Sequence, residues 1–264
     1  MSGLDAARAF LGRTLLRAPQ PLVFDDRVGS WAHAQEQSSG YDQSAIVEQV
    51  TRTTLAVREG SAAFERDGVT FTESEYRWPI ADALTRSVRS DGRLRVVDIG
   101  GSLGSLYWQH RSLLPVGTVW AVVEQPSFVA AGRDHCGDVL TFVESPADLD
   151  PAESWDIAVF SSVLQYLPDP WAMLRSILDL DVTRLVIDRT PFHHGPQDIA
   201  TVQRVPAHIY PASYPAWILS DRRLREELAD WTITAEFPGI EPPMRTRSGV
   251  PFTWSGCVAE RRAR

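Results

Sequence analysis

The stretch VVDIGGSLGS, residues 96–105, sets one carboxylate, Asp98, and three glycines directly after a β-branched run. Such a turn lets the backbone approach a partner closely, because glycine has no Cβ and adopts left-handed conformations freely. Two readings fit: a tight strand-to-helix turn, or a cradle for a nucleotide-type ligand with Asp98 beside it. The dinucleotide fingerprint Gly-x-Gly-x-x-Gly fails, since glycine stands at 100, 101 and 104 and serine at 102. The spacing that fits is acid-x-Gly-x-Gly-x-Gly, with Ser102 in the middle glycine's place. A second carboxylate, Glu124, follows the apolar run of WAVVEQ. An acid at a strand end can accept two hydrogen bonds from ribose hydroxyls. Farther on, PFHHGPQD offers His193 and His194. Imidazoles titrate near neutrality and suit general-base work on a hydroxyl acceptor.

These groups need elements to position them. From residue 93 the chain alternates: LRVVDIG, TVWAVVEQ, VLTFVES, WDIAVFSS and TRLVIDRTP read as strands. SLYWQHRSLL, PSFVAAGRDHC and PWAMLRSILDL read as helices. That alternation predicts βαβ units and a doubly wound, mostly parallel sheet. Its strands are nearly continuously apolar, as strands covered on both faces are. In open parallel sheets ligands sit beyond the carboxyl ends of the strands, where chain order reverses. The end of LRVVDIG is therefore the expected site.

Residues 1–90 read as a mainly helical N-terminal segment or lid, and 91–264 as the ligand-binding α/β domain. Ile46, Val50 and Val57 share one helix face, with Gly60 as a stop, and Ile80, Leu84 and Val88 recur every four residues. FERDGVTF has turn chemistry at Asp67-Gly68 and reads as a hairpin or a loop. Residues 192–217 read as irregular, aromatic and proline-rich. A helix, SDRRLREELAD with Ser220 as N-cap, follows, and two strands, WTITAEFP and FTWSGCVAERR, close the chain.

Composition excludes several chemistries. All 26 basic residues are arginine, so a P-loop lysine, a Schiff-base lysine and a lysine general base are impossible. Two cysteines, Cys136 and Cys257, make neither a disulfide framework nor a cysteine-rich zinc site, although one thiol pair is allowed. A net charge of -8 argues against broad nucleic-acid binding. No apolar run approaches the roughly 20 residues that span a bilayer, and the polar N-terminus lacks the order of a secretion signal. The expectation is a cytoplasmic protein.

The runs DIGGSLGSLYWQHRSLL, WAVVEQPSFVAAG, SSVLQYLPDP and IDRTPF resemble a family of bacterial S-adenosylmethionine-dependent methyltransferases. SWAHAQEQSSGYD, FERDGVTF and VQRVPAHIYPASYPAWILS extend that likeness over most of the chain. Such proteins tend to accompany polysaccharide or specialised-metabolite genes. The resemblance implies a Rossmann-like class I methyltransferase fold, with an antiparallel C-terminal strand in the sheet, and S-adenosylmethionine as cofactor. It implies cofactor roles for Asp98, Gly100, Gly104 and Glu124, with Gly101, Ser102 and Gln125 as neighbours. Asp98 would lie near the cationic amino-acid portion. Ser145, Pro146 and Ala147 would edge the adenine, and Ser161 and Gln165 would line the methionine end. Ser102 departs from the pattern, which puts the turn's geometry in question.

A sulfonium already activates the methyl group, so alignment is the protein's main task. His194 and His193 are the candidate bases, and Tyr210, Tyr214 and Tyr41 are candidates for covering the site. A metal site from His193, His194 and Asp198 lacks diagnostic spacing. Arg66 and Asp67 could serve a charged substrate or form a solvated pair. The expected partner is a small-molecule acceptor, methylated on oxygen or nitrogen, with no nucleic acid and no membrane span. A non-methylating reaction on the same fold and a non-catalytic cofactor-binding regulator remain alternatives. The acceptor and the oligomeric state, a homodimer among the options, are open.

Overall fold

A computed structural model describes residues 22–39, 43–66, 68–204 and 213–262. Tyr41, Asp67 and Tyr210 lie outside the described residues.

Before the parallel core come β1 (Val23–Asp25), α1 (Trp31–Glu36), α2 (Gln43–Arg58), a hairpin of β2 (Phe64–Arg66) and β3 (Val69–Phe71), and α3 (Trp78–Arg86). Gly60 takes a positive φ just past α2, where a stop was expected. The hairpin answers the Asp67-Gly68 question, with Phe64 and Phe71 paired and their rings stacked 4.5 Å apart. Not all of this segment is a helical lid, because β1 pairs antiparallel with a late strand, β9 (Ile199–Arg204).

The apolar runs become β4 (Arg95–Ile99), β5 (Val119–Val123), β6 (Thr141–Val143), β7 (Trp155–Ser161) and β8 (Val182–His193). Between them lie α4 (Ser105–His110), α5 (Pro126–Cys136) and α6 (Pro170–Leu178). All five strands are parallel, in the order β6-β5-β4-β7-β8. Both faces are covered. Val97, Ile99, Ala158 and Phe160 pack with Trp171, Leu174 and Ile177 of α6. Val96, Val122, Ile157 and Val159 pack with Ile80 and Leu84 of α3, Leu106 and Trp108 of α4, and Val129 of α5. Cys136 and Cys257 are buried free thiols in these two separate clusters.

The chain closes with α7 (Asp221–Glu227), β11 (Trp231–Pro238), β12 (Met244–Arg245) and β13 (Pro251–Arg261). Ser220 caps α7, its hydroxyl accepting from the Arg223 N–H. β13 lies antiparallel beside β8, and β11 beside β13. This is the doubly wound, Rossmann-like arrangement expected, with antiparallel strands at its C-terminal end. Strand order reverses at β4, which has β5 on one side and β7 on the other. The crevice above β4 and β7 is the switch point.

One expectation needs correction. Residues 192–217 are not wholly irregular, because β9 and β10 (Ser213–Ser220) form an antiparallel pair. β8 outruns β7 and continues past Asp188, and its Phe192 and His193 pair in parallel with Leu219 and Ser220 of β10. β1, β9 and β10 thus overhang the carboxyl edge of the sheet. Proline hid this. Pro191 and Pro215 sit inside strands and interrupt the pattern that marks them.

Candidate functional site

The turn after β4 is built from left-handed backbone. Gly100 has φ 67°, Ser102 57° and Gly104 87°. A Cβ on Gly100 would come within 2.4 Å of Val163, and one on Gly101 within 2.4 Å of the Asp98 carboxylate. The turn is therefore pressed between the strand below and the loop after β7. Ser102 takes the left-handed conformation without being glycine, so the departure at that position leaves the turn intact.

Asp98 does not open into the crevice. Its side chain lies beneath the turn, 1% exposed, where Trp120 Nε1 donates to Oδ2 at 3.2 Å. Burial pushes its pKa up to about 7, against the Trp120 bond, and the charge of Glu124 pushes the same way. The placement beside a cationic ligand group expected for Asp98 is replaced by a buried one. The pleat puts it on the Val96 face, under α4, and Trp120 of β5 covers it.

Glu124 follows β5 on the other side of the turn. Its Oε1 accepts from the Ser102 N–H at 3.3 Å and its Oε2 from the Gln125 N–H at 2.7 Å. Burial raises its pKa, and those two backbone bonds oppose the rise. Gln125 itself is exposed. Ser145 stands after β6, its hydroxyl accepting from the Ala147 N–H at 3.2 Å, and Pro146 is buried.

At the end of β7, Ser161 donates to Asp188 Oδ2 at 3.3 Å. Gln165, on a short 3₁₀ turn over Leu164–Tyr166, is wholly buried. Its Nε2 donates to Ser162 Oγ at 3.1 Å, and its Oε1 has no hydrogen-bond partner. The loop carrying both residues presses on Gly100 through Val163. Ser102, Glu124, Ser161 and Gln165 thus stand at or just past the carboxyl ends of three neighbouring parallel strands, β5, β4 and β7.

The histidines are not brought to the turn. They stand at and just past the end of β8, five and six residues beyond Asp188 and past a bulge against β13, and their bonds are made within their own loop and to α7. His193 stitches its own loop, with Nδ1 accepting from the Gly195 N–H at 3.1 Å and Nε2 bonded to the Gln197 carbonyl at 2.8 Å. His194 is exposed and pairs with Asp221. Asp198 is taken up elsewhere, by Trp171, Ser220 and Arg223. Sequence reasoning placed the pair just past a strand that it ended too early.

Tyr214 belongs to a polar run on the overhang. Tyr166 donates to Gln203 at 3.1 Å, and Gln203 donates to the Tyr214 hydroxyl at 3.0 Å. Arg66 pairs with Glu75. Sequence reasoning missed Arg77, whose guanidinium pairs with the wholly buried Asp188. No local signal marks it.

No protein-family model matches this chain, and no curated protein does. Among solved structures it is similar to the N-terminal domain of EvdMO1 with SAH bound, at 16% identity over 84% of this chain and 98% of that one, TM-score 0.48. It is similar to the Burkholderia thailandensis 1,6-didemethyltoxoflavin-N1-methyltransferase, at 17% identity over 85% and 92%, TM-score 0.45. A third is CalS10, an amino pentose methyltransferase from Micromonospora echinaspora, at 14% identity over 70% and 89%, TM-score 0.46.

Proposed function

We propose that this chain is an S-adenosylmethionine-dependent methyltransferase. Its acceptor would be an oxygen or nitrogen of a small, sugar-containing or specialised metabolite. One observation carries the reading: the Glu124 carboxylate held across the glycine turn at the switch point, bonded to the Ser102 N–H. A carboxylate has about four lone-pair sites, and two backbone donors leave capacity for a pair of vicinal hydroxyls. Gln165 supports a polar ligand on the opposite wall. Its amide is buried with one end unpaired, which costs free energy unless a partner supplies the missing bond.

In this reading Gly100, Gly101, Ser102 and Gly104 shape the turn against the cofactor, and Asp98 braces it from below. Glu124 and Gln125 hold the ribose side, Ser145 edges the base, and Ser161 and Gln165 face the amino-acid end. The cofactor, when bound, supplies a methyl group activated by a sulfonium. The chain must align the acceptor and exclude water. The overhanging β1-β9-β10 sheet, with Tyr166, Gln203 and Tyr214, is the surface we assign to the acceptor. No described helix is long and apolar enough to cross a membrane, and a cytoplasmic location goes with this reading.

Titration calorimetry with S-adenosylhomocysteine and with NAD tests the proposal. Micromolar-range binding of S-adenosylhomocysteine and negligible binding of NAD are expected. Tight NAD binding with no S-adenosylhomocysteine binding overturns it.

A further inference from the structure

Arg77 stands immediately before α3, outside the parallel sheet, yet its side chain ends at Asp188, where β8 passes the end of β7. Nε donates to Asp188 Oδ2 at 3.1 Å and Nη2 donates to Oδ1. The pair is secluded, at 14% exposure for the Arg77 side chain and 0% for that of Asp188. Asp188 passes the constraint on. Its carboxylate accepts from Ser161 Oγ, and its carbonyl accepts from the Ser162 N–H at 2.9 Å. Ser162 has φ 58°, a conformation that a non-glycine residue keeps only when its surroundings over-determine it. The next residue, Val163, presses on Gly100, and Ser162 Oγ receives the Gln165 amide.

A buried ion pair adds little net stability, because desolvation offsets the attraction. What a bidentate guanidinium–carboxylate fork supplies is direction, since both bonds hold only in one plane. Asp188 is thus fixed in orientation, and the Ser161–Gln165 loop hangs from it. That loop is the wall of the crevice opposite Glu124. We propose that Arg77 is a positioning residue: through Asp188 it fixes the wall that takes the amino-acid end of the cofactor. This rests on the methyltransferase reading above.

The two walls can be tested separately with two ligands. S-adenosylhomocysteine reaches both, whereas 5′-methylthioadenosine keeps the nucleoside and lacks the amino-acid tail. Calorimetric affinities for both would be measured on the wild type, Arg77→Met, Arg77→Lys and Glu124→Ala, with thermal melts to confirm folding. Arg77→Met should weaken S-adenosylhomocysteine about tenfold or more, a loss of about 1.4 kcal/mol, and leave 5′-methylthioadenosine within about twofold. Arg77→Lys keeps the charge but not the fork. It should fall between, which preserves the test if the methionine variant does not fold. Glu124→Ala should weaken both ligands. Equal losses for both ligands in the Arg77 variants, or no loss for either, overturn the inference while the cofactor reading stands. A wild type that binds neither ligand overturns both.

Discussion

Replacing Asp98 with asparagine should remove a large part of the stability that the ligand-free protein loses as pH rises from about 4 to about 7. The Asp98 carboxyl is shut beneath the glycine turn with the Trp120 indole as its donor, and burial moves its pKa from 3.8 to about 7. The folded state therefore keeps a proton that the unfolded chain releases near pH 4. Below that pH both states are protonated and the stabilisation is fully present. Between about pH 4 and pH 7 the folded state holds the extra proton, so stability falls by roughly 1.4 kcal/mol per pH unit. Above about 7 the loss is complete and amounts to about 4 kcal/mol. Asparagine offers Trp120 the same acceptor oxygen and carries no charge. Its unfolding free energy should lack this contribution. Glu124, raised by burial, and His110, lowered by it, bend both curves, and the part of the Asp98 shift that comes from the Glu124 charge stays in the difference. The assay is urea unfolding without cofactor from about pH 5 to about pH 8.5, read as variant minus wild type. The difference should favour the variant increasingly as pH rises towards 7. A flat difference curve would refute the burial argument, because it would mean that Asp98 ionises alike in both states.

Two further outcomes follow from the site. Glu124→Ala should lose roughly 2–4 kcal/mol of S-adenosylhomocysteine affinity, since bonds to a charged group run about 1.5–3 kcal/mol each and partly overlap. Its ligand-free stability should fall as well, by about 1–3 kcal/mol, because the Ser102 and Gln125 N–H groups lose their acceptor, and an unaltered affinity would reduce the carboxylate to a turn residue. His193→Ala strips partners from the Gly195 N–H and the Gln197 carbonyl and should destabilise by about 1–3 kcal/mol, measured by denaturant titration. Neither it nor His194→Ala should alter cofactor affinity. A rate loss of about 10²–10⁴ in single-turnover methyl transfer with cofactor saturating would return one of them to general-base work and bring the acceptor to the far end of β8.

What could be read from the sequence was what neighbouring residues decide. Continuous apolar runs gave the five parallel strands, because burial on both faces leaves no polar alternation to confuse them. The glycine turn and Glu124 were legible for the same reason, one ending β4 and the other following β5. The direction of Asp98 was harder. Strand parity puts it on the Val96 face, but whether that face is open at the strand end depends on α4 folding back over it and on Trp120 one strand away. The extent of β8 was hidden by Pro191, which reads as an ending. The strand continues because β13 pairs with it across a bulge and β10 takes over on the other side. That continuation is what carries His193 and His194 away from the turn.

The least legible feature is where the chain accepts unfavourable backbone. Among the described residues, the non-glycine residues with left-handed φ are Ser102, Ser162 and Arg189. They stand just past the ends of β4, of β7 and of the part of β8 that pairs with β7, three neighbouring strands. Each such residue costs on the order of 1–3 kcal/mol and persists only where surrounding contacts hold it. Those contacts are the Glu124 carboxylate for the Ser102 N–H and the Asp188 carbonyl for the Ser162 N–H, while Arg189 is anchored through its side chain, Nε donating to Glu241 at 2.8 Å. None of the three residue types announces a left-handed conformation as glycine does. Concentrated along the edge where an open parallel sheet binds ligands, the strain shapes the crevice at the expense of stability. Ser162 and Arg189 lie outside the glycine motif, so their strain is an observation separate from it that points to the same edge.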